Sequence, residues 1–222
     1  METADILRQL ALSALPVLVA ITFHELSHGF IASRLGDPTA KMLGRLTLNP
    51  FAHIDLFGTI IMPLMLLIFT NGQFVFGYAK PVPVNPMNFR NPRKGMAITA
   101  AGGPIMNLLL AVLSIMLLRF LILPLSVLLP ETMASKTLIP VALMLKASIT
   151  INVVLAAFNL IPIPPLDGGR VLVGLLPHKQ AISLSRIEPF GFIIVIILIA
   201  TGIANYFIIP LVNLFMSVLR FF

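Results

Sequence analysis

The chain has 222 residues, of which 58% are hydrophobic and 10% are charged. Soluble domains carry about 25% charged residues, so this composition excludes an ordinary soluble protein and predicts several membrane-embedded segments. The formal net charge of +7 comes from basic residues dispersed in short loops without a nucleic-acid-binding motif, which argues against DNA or RNA as a partner. Because the chain has no cysteine, a metal site would have to use His, Asp or Glu.

The first apolar segment ends in three ionisable side chains. Residues 10–23 carry no charge, His24, Glu25 and His28 follow, and the next formal charge is Arg34. This pattern predicts one helix that enters the bilayer, with the histidines at membrane depth. The N-terminus lacks a small-x-small cleavage site, so we expect no removed signal peptide.

His24, Glu25 and His28 form the H-E-x-x-H pattern of zinc peptidases. Side chains four apart share one helix face, so both imidazoles can reach one divalent ion, with Glu25 within reach of a water molecule beside it. Each such group in a membrane costs at least ~2.5 kcal/mol unless it has a partner, and a cation is the simplest partner. The alternatives are polar contacts with neighbouring helices, or a proton path.

Further charge-poor segments follow at about residues 54–70, 96–118 with an apolar extension to 130, 138–166 and 189–219. We therefore expect an all-α polytopic membrane protein with five or six membrane-embedded helices. Residues 1–222 would form one integral-membrane domain, with a core at about 10–175 and C-terminal helices at about 189–222. The 54–70 segment is short and contains Gly58 and Pro63, which favours a broken or re-entrant helix.

Two loops have the composition of extended chain. Residues 39–49 alternate between polar and apolar side chains, which predicts a short strand or hairpin. Residues 74–84 are rich in proline and β-branched residues; Pro81 and Pro83 would lie on one edge of a strand, leaving the amides of Val82 and Val84 on the other edge to pair with another chain. An ordinary proline-rich loop is the alternative.

Two further polar residues lie within apolar surroundings. Asn107 follows Gly102-Gly103-Pro104, whose small residues permit close helix contact, and it could bond to another helix or belong to a site. Asp167 follows three prolines at 162, 164 and 165, which cannot continue a regular helix. It could cap a helix that begins at Gly168, or supply the third ligand that a catalytic zinc requires. The other candidate ligands are Asp55, Glu131, Glu188, His53 and His178.

Four stretches resemble segments of the site-2 protease family, the intramembrane zinc metalloproteases. They are His24-Glu25-Leu26-Ser27-His28, Asn49-Pro50-x-x-His53-Ile54-Asp55, Gly102-Gly103-Pro104-x-x-Asn107 and Asn159-x-x-Pro162-x-Pro164-Pro165-Leu166-Asp167-Gly168-Gly169. The resemblance covers roughly residues 20–175. It implies that His24, His28 and Asp167 bind one Zn²⁺ per chain and that Glu25 is the general base. We expect the compact form of the family, without the PDZ or CBS domain that many members carry.

The resemblance also implies that the substrate is the membrane helix of another protein. Such a helix must unwind before cleavage, and pairing with an edge at Val82 and Val84 would hold it open. Asn107 or Asn159 could donate a hydrogen bond to the developing oxyanion or hold the substrate backbone, and His53 is a further candidate.

Ten of the fifteen Lys and Arg residues lie in three loops, which the positive-inside rule assigns to the cytoplasm. They are Arg34, Lys41 and Arg45; Lys80, Arg90, Arg93 and Lys94; and Arg170, Lys179 and Arg186. We therefore expect a multi-pass protein of a prokaryotic cell membrane, with its active site toward the cytoplasm. The alternative from another class is an ion or proton transporter that uses His24, Glu25, His28 and Asp167 as a relay. A catalytically silent membrane adaptor is a second alternative.

Overall fold

The computed structural model describes residues 3–69 and 77–222, and the regular structure in these ranges is helical, with no strand. The α-helices are α1 Thr3–Arg34, α2 Thr39–Met42, α3 Met62–Phe69, α4 Pro92–Leu117, α5 Leu123–Leu128, α6 Glu131–Met133, α7 Ile139–Asn159, α8 Asp167–Leu175, α9 His178–Ser185, α10 Glu188–Ala200 and α11 Asn205–Leu219. Short π-helical segments precede α3, α5 and α7 at Leu56–Ile61, Leu118–Ile122 and Ala134–Leu138.

Three continuous helical stretches in the described residues are long and apolar enough to cross a membrane. They are Arg8–Arg34, Pro92–Leu128 and Glu131–Asn159. Helices α9 and α10 would add a fourth if they form one span, although they meet at a bend of 67°. Leu56–Leu66 and Asn205–Leu219 are shorter, so the predicted segments exist as helices, but the expected count of five or six membrane-embedded helices is not confirmed.

Small residues determine how closely the central helices pack. Helix α4 lies against α1, α7 and α8, and Ala20, Ala100, Ala111 and Ala156 are almost completely buried in these contacts. The hydroxyl of Ser27 on α1 donates to the carbonyl oxygen of Gly102 on α4 at 2.9 Å. Close backbone approach of this kind is how membrane helices associate when burial of apolar surface provides no driving force.

The predicted strand or hairpin at residues 39–49 is wrong. The buried carboxylate of Asp37 accepts hydrogen bonds from the backbone amide and hydroxyl of Thr39, and the chain turns into the short helix α2. Side chain-to-backbone bonds of this type compete with strand formation. The other oxygen of Asp37 accepts from the amide of Asn85 at 2.7 Å, which ties the end of α1 to the chain that precedes α4.

Residues 77–85 are irregular rather than part of a β-ladder. The backbone of Tyr78 pairs with Gly58 and Thr59, and the Lys80 amide donates to the carbonyl oxygen of His53. The predicted extended chain therefore runs beside residues 53–59, although it forms no β-strand there. Residues 74–76, where this prediction began, lie outside the described residues.

The proline-rich segment after α7 is unwound, as the sequence predicts. Helix α7 ends at Asn159, residues 160–166 form turns, and α8 begins at Asp167. Gly169 allows this loop to fold back, because a Cβ there would lie 2.1 Å from the Pro164 nitrogen. A Cβ at Gly191 of α10 would lie 1.7 Å from the Pro164 carbonyl oxygen. The loop is therefore held between α8 and α10, and it aims Asp167 toward α1.

Candidate metal centre

Three side-chain atoms from two distant parts of the chain converge inside the helix bundle. His24 and His28 lie one turn apart on α1, and their Nε2 atoms are 3.1 Å from each other. The Oδ2 atom of Asp167, at the first position of α8, lies 3.1 Å from His24 Nε2 and 3.3 Å from His28 Nε2. Asp167 is therefore not a side-chain cap of its helix; its carboxylate faces the two imidazoles instead.

The second nitrogen of each imidazole is engaged on the opposite side. His28 Nδ1–H donates to the Thr99 carbonyl oxygen at 2.8 Å, and His24 Nδ1 lies 2.6 Å from Asn107 Oδ1. When Nδ1 carries the proton, the neutral imidazole presents a lone pair at Nε2. Hydrogen bonds of this kind at the outer nitrogen orient metal-binding histidines.

The three converging atoms fit a zinc ion. Asp167 Oδ2 is buried and has no hydrogen-bond donor among the described residues, so three electron-rich atoms meet without a positive partner. Ligands at ~2.0–2.1 Å from a tetrahedral zinc lie about 3.3–3.4 Å apart, close to the 3.1–3.3 Å measured here. Two histidines with one carboxylate are also a ligand set of catalytic zinc sites.

Glu25 lies beside these atoms but has a different partner. Its Oε2 atom accepts a hydrogen bond from the Val82 amide at 2.9 Å. Glu25, His24 and His28 each offer a ligand atom within 4.8 Å of the others, so Glu25 is also near enough to be considered as a ligand. Asp167 differs from Glu25 in that its Oδ2 is within 3.3 Å of both imidazole Nε2 atoms and has no hydrogen-bond partner among the described residues.

Gly103 on α4 provides the space for both imidazoles. A Cβ at this position would lie 2.5 Å from His24 Cε1 and 2.6 Å from His28 Cε1. Real side chains essentially never approach this closely, so any residue other than glycine would displace the rings. Gly103 therefore leaves space for the site, whereas Gly102 lies against Ile31 and Ser27 of α1.

The site opens into a cavity of about 810 Å³ with a predominantly apolar lining. Val17 and Ile21 of α1, the segment 77–84, and residues of α7, α10 and α11 contribute to its walls. The rings of Tyr78 and Phe192 pack edge to face with centroids 5.8 Å apart, joining the extended segment to α10. The cavity is large enough to hold part of a peptide chain.

The other predicted site residues divide into those that line the cavity and those that are buried outside it. Asn159, Val82 and Val84 line the cavity, whereas Asn107 is completely buried behind His24 and is not among the lining residues. His53 is also buried and outside the lining; its Nε2–H donates to the Thr47 carbonyl oxygen at 3.0 Å. The side chain of Asn107 therefore contacts His24, and that of His53 contacts Thr47, but neither side chain lines the cavity.

The backbone amides on one edge of the segment 78–82 already have hydrogen-bond partners, whereas the sequence predicted that the edge at Val82 would be free. The amides of Tyr78, Lys80 and Val82 would all point to one edge of an extended chain, and they donate to Gly58, His53 and Glu25, respectively. The edge expected to be free at Val82 is therefore already occupied in this structure.

Sequence reasoning did not single out Thr99, because its contribution is a backbone carbonyl oxygen. The sequence analysis gave Asn152 no role, although Asn152 bonds to Asn107. The signal was available, since a second asparagine in an apolar helix indicates a partner across the bundle.

A helical membrane protein that brings two histidines, an aspartate and a neighbouring glutamate together in this way belongs in the class of membrane metalloproteases. The family model of peptidase family M50 matches residues 123–201, a range that includes Asp167 but not the first motif. The chain is 37% identical over 197 residues to "Putative zinc metalloprotease YwhC" of Bacillus subtilis, covering 89% of this chain and 84% of that protein.

Two further relatives are both named "Putative zinc metalloprotease Rip2". The protein of Mycolicibacterium smegmatis is 29% identical over 198 residues, which cover 89% of this chain and 70% of the relative. The protein of Mycobacterium tuberculosis strain H37Rv is 27% identical over 188 residues, which cover 85% and 66%, respectively. No solved structure matches the chain.

The chain belongs to peptidase family M50, the site-2 protease family. It is a zinc metalloprotease and a bacterial integral membrane protein. The family membership that the four sequence stretches predicted is confirmed, and the transporter interpretation is not supported.

Replacing Gly103 with alanine tests whether the two imidazoles need the space that this glycine leaves. We expect Gly103→Ala to weaken zinc binding by ~10–100-fold, the range seen when contacts that orient metal ligands are lost, because the added Cβ displaces both imidazoles. Zinc affinity of the purified protein in detergent is the measurement. Gly102→Ala is the matched control, since its Cβ would meet the side chains of Ile31 and Ser27 rather than an imidazole. Unchanged zinc affinity in Gly103→Ala would contradict this account.

Proposed function

We propose that this protein hydrolyses peptide bonds within or near the transmembrane segments of other membrane proteins. The main support is the convergence of His24 Nε2, His28 Nε2 and Asp167 Oδ2, with Glu25 beside them, at the wall of an apolar cavity bounded by membrane helices. An apolar cavity of this size suits a hydrophobic peptide segment better than a polar one.

We assign His24, His28 and Asp167 as the ligands of one zinc ion per chain. Zinc bound by them would polarise the scissile carbonyl group and lower the pKa of an attacking water molecule. Thr99 and Asn107 hold the two imidazoles through Nδ1, which keeps both Nε2 atoms directed toward the same point.

Glu25 is the proposed general base and then general acid. The Val82 amide holds Oε2, so Oε1 would take the proton from the attacking water and deliver it to the leaving amine. A positioned carboxylate in this role contributes ~10²–10⁴-fold to the rate. The hydrogen bond from Val82 fixes the carboxylate near the imidazoles instead of leaving it free to rotate.

The segment 78–84 and Asn159 are proposed to contact the substrate. A transmembrane helix hides its carbonyl groups in internal hydrogen bonds and must be extended before cleavage. Val82, Val84 and Asn159 line the cavity together with the metal ligands, so an unwound substrate segment between them would pass the zinc. The Asn159 amide nitrogen donates to Leu155, which directs the amide along its own helix and would let its oxygen face the substrate backbone.

We also propose that the active site lies toward the cytoplasmic side. Contacts between the three basic loops support this proposal, because the positive-inside rule assigns all three to the cytoplasm. The Arg45 guanidinium donates to the Lys80 carbonyl oxygen, which joins the first loop to the second. Arg93 lines a surface depression with His178 and Arg186, which joins the second to the third.

Glu25→Gln separates catalysis from metal binding. We expect it to keep about one zinc ion per chain and to lose ~10²–10⁴-fold in cleavage rate. The assay uses a single-span reporter protein with a Gly-Pro pair in its transmembrane helix, reconstituted with the enzyme in liposomes. In parallel, His28→Ala and Asp167→Ala are expected to lose zinc. Glu25→Gln with wild-type cleavage would reject the mechanism, and full zinc content in Asp167→Ala would reject the ligand assignment.

Val82→Pro removes the amide that holds Glu25. We expect a rate loss of up to ~10²-fold, the effect of misplacing a catalytic group by about 1 Å, with zinc content unchanged. Val82→Ala keeps the amide and should retain most activity in the same reporter assay. Equal turnover by wild type and Val82→Pro would remove this amide from the mechanism, both as a partner of Glu25 and as a contact for the substrate.

The absence of cysteine permits a simple test of topology. Single cysteines at Lys41 and Lys94, both exposed, should react with a membrane-impermeant maleimide only after cell lysis. A cysteine at Glu131, beyond the far end of the Pro92–Leu128 stretch, should react in intact cells. Reaction of positions 41 and 94 on opposite sides of the membrane would overturn the proposed topology.

A further inference from the structure

A chain of buried polar side chains runs from the metal centre into the helix bundle, on the side away from the cavity. It joins His24 of α1 to Asn107 of α4, and Asn107 to Asn152 of α7, whose NH₂ group donates to the backbone carbonyl oxygen of Ser148. Asn107 and Asn152 are both completely buried. Burial of an amide among apolar helices is costly unless its hydrogen bonds are made. The hydrogen-bond partners of Asn107 and Asn152 therefore restrict how each amide group can be oriented.

Two backbone carbonyl groups determine the orientation of both amides. A carbonyl oxygen can only accept a hydrogen bond. Asn152 Nδ2 lies 2.9 Å from the Ser148 carbonyl oxygen, so the NH₂ group must face Ser148, and Oδ1 must face Asn107. Asn107 Nδ2 donates to Asn152 Oδ1 at 2.8 Å and to the Ala20 carbonyl oxygen at 3.3 Å. Asn107 Oδ1 is thereby turned toward His24.

The orientation of Asn107 decides which imidazole nitrogen carries the proton. His24 Nδ1 faces an oxygen at 2.6 Å, so it must be the protonated nitrogen, and Nε2 keeps its lone pair. If the Asn107 amide were reversed, its NH₂ group would face Nδ1, and the neutral imidazole would carry its proton on Nε2. That proton would occupy the position of a metal bond.

We propose that Asn152 is a remote positioning residue of the metal centre, which acts through Asn107 to fix the tautomer and direction of His24. The proposal rests on the proposed role of His24 as a zinc ligand. His28 needs no such relay, because its Nδ1 donates directly to the Thr99 carbonyl oxygen. The two histidines of one motif are thus oriented by different means, one by the backbone of α4 and the other through side chains of α4 and α7.

A purely structural role for Asn152 would be hydrogen bonding between α4 and α7. That role predicts a loss of stability without a specific effect on the metal. Positioning through Asn107 predicts weaker zinc binding, and it predicts that the effect disappears when Asn107 is already absent. These two predictions define the experiment.

The variants Asn152→Leu, Asn107→Leu and the double variant would be compared with wild type by zinc titration against a chromophoric chelator in detergent. We expect Asn152→Leu to weaken zinc binding by ~10–100-fold, and the double variant to bind zinc as Asn107→Leu does. Ser148→Ala is the matched control. It removes the hydroxyl that contacts Asn152 and Ser114 but keeps the carbonyl oxygen that orients Asn152, so its zinc affinity should stay near that of wild type.

Thermal unfolding of the zinc-free proteins accompanies each titration and reports packing alone. If Asn152→Leu does not fold, Asn152→Ala removes the same amide without added bulk. Wild-type zinc affinity in the folded Asn152 variant, or an additional loss in the double variant beyond Asn107→Leu, would overturn the proposal. Failure of the wild-type protein to bind zinc would instead overturn the proposed function.

Discussion

Three electron-rich atoms held within 3.3 Å of each other in an apolar interior are the constraint on which the rest of this structure depends. Two imidazole lone pairs and a carboxylate repel each other there unless a cation lies between them, and the low polarity of the surroundings strengthens both the repulsion and the attraction to a cation. Several unusual local features follow from this requirement. Gly103 leaves space for the rings, the proline-rich loop brings Asp167 to α1, and Thr99 and Asn107 orient the imidazoles.

Hydrolysis inside a membrane protein requires polar chemistry to be surrounded by apolar structure. The cavity has mainly apolar walls, to which the segment 78–84 contributes Ala79, Pro81, Val82 and Val84, while His24, Glu25, His28 and Asp167 supply a cluster of polar groups. That segment is held in place from outside the cavity, by residues 53–59, by Arg45 and by the bond between Asp37 and Asn85. Irregular backbone at membrane depth is acceptable under these conditions, because it lines a cavity and its amides have partners.

Helix packing and site chemistry share the same residues in α1, α4 and α7. Small residues bring the helices together, and at that distance two asparagines can bond across the bundle. Burial then makes these bonds directional, since an amide turned the wrong way would leave a donor or an acceptor without a partner. In the proposed role of Asn152, a contact that would otherwise only join two helices also orients His24.

The sequence by itself determined the class of protein, and it predicted which residues would form the metal centre. Helix geometry places His24 and His28 on one face with Glu25 beside them, and prolines end the helix before Asp167. These features are local in the chain, so each could be predicted from the sequence. Only the tertiary structure decided which nitrogen of each histidine faces Asp167, which edge of the segment 78–82 is occupied, and that Asn107 and His53 do not line the cavity. Those features depend on atoms far apart in the chain, such as the Thr99 carbonyl oxygen and the Val82 amide. A backbone atom has the same chemistry at every residue, so sequence cannot show which ones will meet.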